Sequence, residues 1–507
     1  MRPLAAALAV IAGGAFAQSL SPAPLPRSGR GDEFVPNVVS GRGDQSIPKT
    51  VQSALQAAGI ADEGSAIAVV PLDGGALQIA HHDEVAFSPA STMKLLTTFA
   101  ALSELGPSYR WHTQVYASQA PVHGRIDGDL MLRGGGDPSL VIERLWLLVH
   151  RLRALGIQEI GRDLVIDRSR YASSVDASPS LDGNDLRPYN VAPDAMLINY
   201  KAVSLDFVPD RVAHVARVVA TPALEGVRIP AQVPLSDGSC GDWKEKLRAD
   251  FATTNVASFR GHFPASCGEK TWHVSILSPD RFALDAFRNL WHAAGGTLKG
   301  GVREGKVGPS AVLITDFESP ELAEVIRDIN KNSNNVMARQ VFLTFGAEYA
   351  DPFHEAMQSP LPAAGAPGPE PATQERSVQA MHDWLARQGL AMPELVLENG
   401  SGLSRHERIS AGNLARLLVQ AWKSSEMPNF LSSLPEAGVD GTMKDRTGAA
   451  RSAYIKTGYL SGVRAIAGYV FASSGHHYVV VAIVNDPHAD AAQAAHDELL
   501  NWVWKEG

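Results

Sequence analysis

A long apolar run follows Ser91 and predicts a buried helix. Its apolar positions lie on nearly all sides of the helix, so protein should cover it all round. They include Met93, Leu95, Leu96 and Phe99. Ser88 is the candidate N-cap, Pro89 suits the first turn, and Gly106-Pro107 supplies a stop. The pattern therefore places Ser91 in the first turn of a helix.

Two further helical patterns flank a short polar segment. The first opens at Ser319-Pro320 and repeats apolar residues at helical spacing through Ile329. The second runs over about residues 336–342. We expect residues 331–335 to form the loop that joins these two helices.

Two long β patterns near the C-terminus predict an antiparallel meander. They cover residues 463–472 and 478–485 and are joined at Ser474-Gly475. A shorter strand over residues 452–455 leads into Lys456-Thr457-Gly458, and a turn is predicted over residues 459–462.

Ser91 and Lys94 form a candidate nucleophile and base. Backbone N–H groups in a first helical turn lack partners within the helix, so the Ser91 amide can stabilise an oxyanion on a carbonyl that the Ser91 hydroxyl attacks. Lys94 lies one turn further on the same face, and burial lowers the pKa of a lysine toward that of a working base. The alternative is a salt-bridged lysine beside an ordinary helix-start serine.

Two other short strings have matching chemistry. In Ser333-Asn334-Asn335, the serine can relay a proton and Asn335 can bind a substrate amide. In Lys456-Thr457-Gly458, Lys456 and Thr457 can bind a carboxylate, and Gly458 lets a substrate approach the strand edge. A capped, solvated turn and an edge-strand lysine that opposes aggregation are the respective alternatives.

Short patterns of this kind also occur by chance. Ser46-Ile47-Pro48-Lys49 has the same serine–lysine spacing, but its proline argues against a helix that presents both side chains. Arg446-Thr447-Gly448 similarly imitates the third string. The setting of each string in its predicted helix, loop or strand therefore carries the argument.

With all three strings in order, the chain resembles the serine DD-peptidases and β-lactamases. Four segments narrow the resemblance to the peptidase S13 family, the class C low-molecular-mass penicillin-binding proteins. They are residues 89–94 (PASTMK), 134–138 (GGGDP), 399–405 (NGSGLSR) and 456–458 (KTG). The resemblance implies D-alanyl-D-alanine carboxypeptidase or endopeptidase activity on peptidoglycan stem peptides, with β-lactam antibiotics as inhibitors and no cofactor.

The resemblance also implies further site residues. The Tyr459 amide would complete an oxyanion hole with the Ser91 amide, and Ser401 would line the substrate site. Asp185 matches the family's acidic residue for the amine of a diaminopimelate side chain, and Arg405 matches its basic partner. From the residues alone, Asp185 can equally belong to a simple turn over residues 182–185.

Roughly 240 residues separate Ser91 from Ser333, far more than one helical unit needs. The predicted fold is therefore an α/β catalytic domain, a DD-peptidase/β-lactamase-like antiparallel sheet flanked by helices, with a large mostly β insertion that forms two further domains. The expected order is signal peptide 1–17, flexible leader 18–48, catalytic part 49–108, second domain 109–165, third domain 166–268, second domain again 269–306, and catalytic part 307–507.

Composition fits an exported globular enzyme. A net charge of −9 and 20% charged residues give no indication of nucleic-acid binding. Arg2, an apolar stretch and the Ala15-Phe16-Ala17 pattern predict a cleaved signal peptide and thus export, with the periplasm as the expected location. No later apolar run is long enough for a transmembrane anchor.

In an oxidising compartment Cys240 and Cys267 predict a disulfide, with two buried thiols as the alternative.

Metal chemistry finds little support in the sequence. The pairs His81-His82 and His476-His477 lie in or beside strand-like segments, in which neighbouring side chains point to opposite faces. No metal ligand is therefore predicted.

At the C-terminus we expect an apolar segment to dock on the core, with a partner or a membrane surface as alternatives. Its apolar residues are Leu499, Leu500, Trp502, Val503 and Trp504.

Two other functions share some of these features. A β-lactamase needs a dedicated deacylation group, yet residues 394–398 have Glu where the class A pattern has Asn. No Tyr-x-Asn triplet occurs in the chain. A non-catalytic peptidoglycan-binding scaffold would tolerate loss of Ser91 or Lys94, and both are present.

Overall fold

A computed structural model of the chain describes residues 47–76, 78–172, 186–253, 256–349, 370–446 and 452–507. The predicted signal peptide, almost all of the leader and Asp185 lie outside these residues. The helices are α1 Lys49–Ala57, α2 Lys94–Leu105, α3 Ile142–Ala154, α4 Trp243–Leu247, α5 Pro279–Ala293, α6 Leu322–Asn332, α7 Asn335–Tyr349, α8 Gln374–Arg387, α9 Ala411–Lys423, α10 Met427–Ser433 and α11 Gln493–Glu506.

The strands are mostly short and fall into several sheets. They are β1 Ser65–Pro71, β2 Ile79–His81, β3 Ala86–Phe87, β4 His112–Ala117, β5 Arg125–Ile126, β6 Leu130–Gly134, β7 Glu159–Ile160, β8 Leu164–Asp167, β9 Val203–Asp210, β10 Val215–Thr221, β11 Gln232–Ser236, β12 Ala249–Thr253, β13 Val256–Phe259, β14 Phe263–Pro264, β15 Lys270–Val274, β16 Thr297–Leu298, β17 Val302–Glu304, β18 Val312–Glu318, β19 Ile409–Ser410, β20 Ala453–Leu460, β21 Val463–Phe471 and β22 His477–Asn485.

One antiparallel sheet unites the two ends of the described chain. Its order is β2-β1-β22-β21-β20, so the meander predicted from residues 452–485 forms three of its five strands. Helix α9 contacts β1 and β22, whereas α1 and α11 share a core cluster with the sheet residues Ile67 and Val480. Because helices cover both faces, β22 is buried along nearly its whole length. The predicted class, an antiparallel sheet flanked by helices, is confirmed.

The C-terminal helix docks on this core. Leu499, Leu500 and Val503 of α11 are fully buried, while Trp504 remains exposed. The expectation of core docking is therefore confirmed. Among the described residues, each helix is too short or too polar to cross a membrane.

The segment between α2 and α6 is rich in strands. It contains a sheet of order β17-β8-β6-β4-β18, a parallel sheet of order β16-β7-β5 and a sheet of order β14-β11-β10-β9-β15. Helices α3 and α5 pack with these sheets in one apolar cluster. Strand β18 pairs with β4, although it lies beyond residue 306. The domain limits given above stay a prediction.

Cys240 and Cys267 form a disulfide, as predicted. Cys267 packs against the apolar cluster of the insertion. In that cluster Phe207 stacks on Phe263 and meets Trp243 edge-on. The cross-link therefore ties the loop before α4 to an aromatic core.

The helix after Ser91 begins differently from the prediction. A single 3₁₀ turn, Ala90–Met93, precedes α2, and Ala90 has a left-handed φ of 45°. Ser88 is not the N-cap, because Pro89 occupies that position and no side chain caps the turn. The Ser88 backbone N–H and carbonyl instead bind the Asn485 side chain, at 2.8 and 3.0 Å. Ser91 still lies in a first helical turn, and Asn485 of β22 anchors the segment before this turn to the sheet.

Candidate active site

Lys94 lies at the centre of the site. Its side chain is fully buried. Its Nζ is 2.8 Å from the Ser91 Oγ and 2.6 Å from the Asn335 Oδ1, and it also donates to the Ser401 carbonyl. The single turn between Ser91 and Lys94 gives the first contact, whereas the other two join parts of the chain far apart in sequence. The structure thus brings together four residues predicted from three separate motifs.

Burial lowers the pKa of the Lys94 amine well below its usual value. The charge of Lys456 lowers this pKa further, and the charge of Glu407 raises it. A buried ammonium loses its hydration, so the neutral amine is favoured. Burial therefore favours the neutral form of Lys94, which can accept a proton.

Lys456 occupies the other side of the site. Its Nζ donates to the Ser333 Oγ at 2.9 Å and to the Thr457 carbonyl at 2.7 Å. Burial lowers the pKa of Lys456 to about 7. Two lysines with lowered pKa values therefore lie on opposite sides of the Ser333-Asn334-Asn335 string.

The loop that carries Ser333 is shorter than predicted. Helix α6 runs to Asn332 and α7 begins at Asn335, which leaves Ser333 and Asn334 between them. Ser333 adopts a left-handed φ of 57°, and the Asn334 Oδ1 accepts the Met337 N–H at 3.1 Å as a helix cap. Because both neighbouring helices are fixed, the Ser333 and Asn335 side chains have defined positions.

Lys456-Thr457-Gly458 lies inside an edge strand, not at its end. Strand β20 continues to Leu460 because its pairing with β21 extends through Leu460 and Val463, so Tyr459 is in the strand and the predicted turn over residues 459–462 shrinks to Ser461 and Gly462. A Cβ on Gly458 would lie 2.7 Å from the Pro89 carbonyl oxygen. Only glycine allows this edge to approach the turn that carries Ser91.

The other two predicted residues of this strand, Thr457 and Tyr459, reach the protein surface. The Thr457 Oγ1 donates to the Thr442 Oγ1 at 2.7 Å. The Tyr459 side chain is exposed, and the Arg464 guanidinium lies 3.7 Å from the centre of its ring. Both side chains can therefore meet a ligand at the surface.

Ser401 and Arg405 belong to one loop but have different surroundings. Ser401 is buried and donates its hydroxyl to the Asn399 Oδ1 at 2.6 Å. Arg405 is exposed and donates to the Ser461 carbonyl at 2.9 Å, next to the end of β20. Asp185, its predicted partner, lies outside the described residues.

Glu407 was not predicted from the sequence. Its buried carboxylate accepts the N–H groups of Glu398, Asn399 and Gly400 through Oε1, at 2.9 to 3.1 Å, and that of Gly402 through Oε2 at 2.9 Å. Burial raises the pKa of the Glu407 carboxyl, and these backbone contacts oppose the rise. Glu407 thereby fixes the loop whose Ser401 carbonyl accepts a hydrogen bond from Lys94.

One sequence signal for Glu407 exists. Gly400 and Gly402 adopt left-handed φ values of 68° and 80°, and a Cβ on Gly402 would collide with the Ala90 carbonyl. A glycine-rich turn of this kind leaves several N–H groups without ladder partners, and buried N–H groups need acceptors. A single nearby carboxylate can accept several of these N–H groups at once.

Glu407→Gln is expected to slow acylation by penicillin about tenfold or more, because a buried N–H loses its carboxylate acceptor and the loop beneath Lys94 shifts. Loss of the Glu407 charge also lowers the pKa of Lys94 further. The rising limb of the pH–rate profile that reports Lys94 deprotonation should therefore move to lower pH. Stopped-flow acylation across a pH series measures both effects.

Glu398→Gln is the matched control, because it removes the same charge from the same loop while contacting the Ser404 side chain. We expect it to change neither the rate nor the profile substantially. Equal effects of the two variants would contradict a specific role for Glu407.

Comparison with known proteins agrees with this geometry. The model of the D-Ala-D-Ala carboxypeptidase 3 (S13) family matches residues 47–505. A D-alanyl-D-alanine carboxypeptidase of Actinomadura sp. strain R39 is 30% identical over 431 residues, which cover 80% of this chain and 74% of that protein.

Two solved structures share the fold. The crystal structure of penicillin binding protein 4 from Haemophilus influenzae has a TM-score of 0.71 and 22% identity, covering 90% of this chain and 100% of that one. Its complex with a β-lactam has a TM-score of 0.65 and 20% identity, covering 89% and 99%. The family match spans the described site and the insertion alike, and the chain belongs to the D-Ala-D-Ala carboxypeptidase 3 (S13) family of serine peptidases.

Proposed function

We propose that the protein cleaves the terminal D-alanyl-D-alanine bond of peptidoglycan stem peptides through an acyl-enzyme on Ser91. One observation carries this proposal. Lys94 contacts three oxygen atoms, and two of them, the Asn335 Oδ1 and the Ser401 carbonyl, can only accept hydrogen bonds. A neutral lysine has two N–H groups for these acceptors, so its lone pair is directed at the hydroxyl of Ser91.

The first step follows from this arrangement. Lys94 takes the hydroxyl proton while the Ser91 Oγ attacks the carbonyl of the penultimate D-alanine. The backbone amides of Ser91 and Tyr459 stabilise the oxyanion that forms. Close approach of β20 to the Ser91 turn, which Gly458 permits, supports a hole made from these two amides.

The second half of the site serves the leaving group. Lys456 and Ser333, joined by a hydrogen bond, pass a proton to the amine of the departing D-alanine. Lys456 and Thr457 bind the terminal carboxylate, and Asn335 binds the amide on the acyl side. Water then hydrolyses the ester on Ser91. Endopeptidase cleavage of a D-alanyl cross-link would use the same steps.

Benzylpenicillin tests the acyl-enzyme directly. It should acylate Ser91 by the same route and leave slowly, so digestion and mass spectrometry should find the adduct on the peptide that contains Ser91. As penicillin acylates Ser91, the protein should lose the ability to release D-alanine from a stem pentapeptide. Rapid penicillin hydrolysis without an accumulated adduct would indicate a β-lactamase, and neither adduct nor D-alanine release would indicate a scaffold.

Export belongs to the same proposal, because the substrate lies in the cell wall. The Ala15-Phe16-Ala17 pattern and the Cys240–Cys267 disulfide support secretion into an oxidising compartment such as the periplasm. N-terminal sequencing of the exported protein should begin at Gln18. An intact N-terminus in the cytoplasmic fraction would contradict export.

Substrate choice is the finest part of the proposal. Asp185 and Arg405 would bind the amine and carboxylate at the end of a diaminopimelate side chain. Exposure of Arg405 beside the end of β20 supports this placement. Asp185→Ala should lower kcat/KM by more than ~tenfold, about 1.4 kcal/mol, for peptides with a free side-chain amine, with penicillin acylation near wild type.

Asp182→Ala is the control for this prediction, because it removes an equal charge three residues earlier. It should leave kcat/KM unchanged for both substrates. Equal loss of peptide cleavage and penicillin acylation in Asp185→Ala would make Asp185 a structural residue.

A further inference from the structure

Two histidine rings and one carboxylate converge at the edge of the first sheet opposite to Lys456. Strand β2 ends at His81, and His82 adopts a left-handed φ of 45°. The two rings therefore turn to the same side, with centroids 4.1 Å apart. The expectation that the two side chains point to opposite faces is wrong, because the strand stops between them.

Asp62 faces both rings from the turn before β1. Its Oδ1 lies 3.7 Å from the His81 Nε2, and its Oδ2 lies 3.9 Å from the His82 Nε2. The three candidate ligand atoms all lie within 4.8 Å of one another. In a tetrahedral zinc site with bonds of about 2.0–2.1 Å, ligand atoms are about 3.3 Å apart. The two Asp62 contacts would need to shorten by about half an ångström, and the distance between the two ring nitrogens by up to about 1.5 Å, which small side-chain rotations can provide.

Ser65 fixes the orientation of the His82 ring. The His82 Nδ1 is 3.1 Å from the Ser65 carbonyl oxygen. A carbonyl only accepts hydrogen bonds, so Nδ1 carries the proton and the Nε2 lone pair is directed toward Asp62. Metal-binding histidines characteristically donate their second ring N–H to such a carbonyl. Ser65 begins β1 and is buried, so this acceptor is fixed by the sheet.

We propose that Asp62, His81 and His82 bind one Zn²⁺ ion, with water as the fourth ligand. Two imidazole nitrogens and one carboxylate suit Zn²⁺, whereas Mg²⁺ and Ca²⁺ prefer oxygen ligands alone. Zinc would replace the 3.4 Å contact between the His81 Nε2 and the Ser65 Oγ. The ion would tie the Asp62–Gly64 turn to the β2 edge and stabilise that end of the sheet.

This site is separate from the one that contains Ser91. His81 pairs with Ile67, and the same row continues through Ala482 and Ile466 to Thr457. Four strand spacings place the two ends of this row about 19 Å apart. Zinc binding and acylation should therefore be independent.

A second group of one aspartate and two histidines, at the same sheet, serves as a control for the proposed zinc site. Asp73 lies against both His476 and His477, and in each case the ring nitrogen that faces it is Nδ1. The His477 Nδ1 is already hydrogen-bonded to Asp73. Among the described residues, the Asp62 group is the one in which three candidate ligand atoms converge.

Calorimetric titration of the full, untagged, metal-stripped protein with ZnCl₂ alone at neutral pH tests the proposal. We expect one Zn²⁺ per chain, and Asp62→Asn and His82→Gln should each weaken binding by about tenfold or more. His476→Gln should bind as wild type, and MgCl₂ should give no binding. Zinc should raise the melting temperature of wild type and not of His82→Gln, with penicillin acylation unchanged in all variants.

Several results would overturn the site. Absence of zinc binding to the wild-type protein would do so. Equal affinity in wild type, Asp62→Asn and His82→Gln would mean adventitious binding only. Loss of binding in His476→Gln instead would move the ion to the Asp73 group.

Discussion

Ser91→Ala is expected to abolish acylation by labelled penicillin and release of D-alanine, each by at least about a thousandfold. Without the hydroxyl, the site contains no oxygen at this position that can attack the carbonyl. Fluorescent penicillin labelling and a D-alanine assay measure the two losses. The fold should survive, because Ser91 is only partly buried and Lys94 keeps its contacts with Asn335 and Ser401.

Ser46→Ala is the control for this prediction. Ser46 has the same spacing to Lys49 that Ser91 has to Lys94, but Lys49 is exposed at the start of α1. We expect wild-type acylation in this variant. Label that still attaches to Ser91→Ala would refute Ser91 as the nucleophile and make Ser46 the next candidate.

Local patterns predicted the parts of the site that lie within one element. Ser91 and Lys94 are three residues apart at a helix start, so helical periodicity alone brought their side chains together. A strand over residues 452–455 leading into Lys456 was likewise predicted, although it continues to Leu460 because of its pairing with β21. Joining these elements required the family resemblance, because no short-range pattern encodes the contact of Lys456 with Ser333.

Contacts between distant segments account for what the sequence did not predict. Asn485 binds the Ser88 backbone across nearly four hundred residues, and the helical turn begins one residue later than predicted, after Pro89. Glu407 acts through backbone N–H groups, whose exposure depends on a loop conformation that two glycines permit. The convergence of His81 and His82 depends on where β2 stops, and strand ends are set by pairing partners more than by local composition.

Lys94→Arg is expected to lose nearly all acylation although it keeps a positive charge. An arginine remains protonated in proteins, so it cannot take the proton from Ser91. The base must be neutral, and burial lowers the pKa of Lys94 toward that state. Stopped-flow measurement of the acylation rate constant, with thermal unfolding to verify the fold, provides the test.

Two further variants separate the role of Lys94 as a base from a structural role. Lys331→Arg is the matched control, since Lys331 is a partly buried lysine whose Nζ lies 2.6 Å from the Asp440 Oδ2, and arginine should preserve this ion pair and the rate. Lys94→Met fills a similar volume without a charge or a lone pair on nitrogen, and it should be folded and inactive. A Lys94→Arg rate of a tenth of wild type or more, or an active Lys94→Met, would show that Lys94 only supports the site. If both Lys94 variants lose acylation while Lys331→Arg keeps it, acylation requires the neutral amine of Lys94. Arginine then fails although it supplies a positive charge, and methionine fails although it fills the same volume.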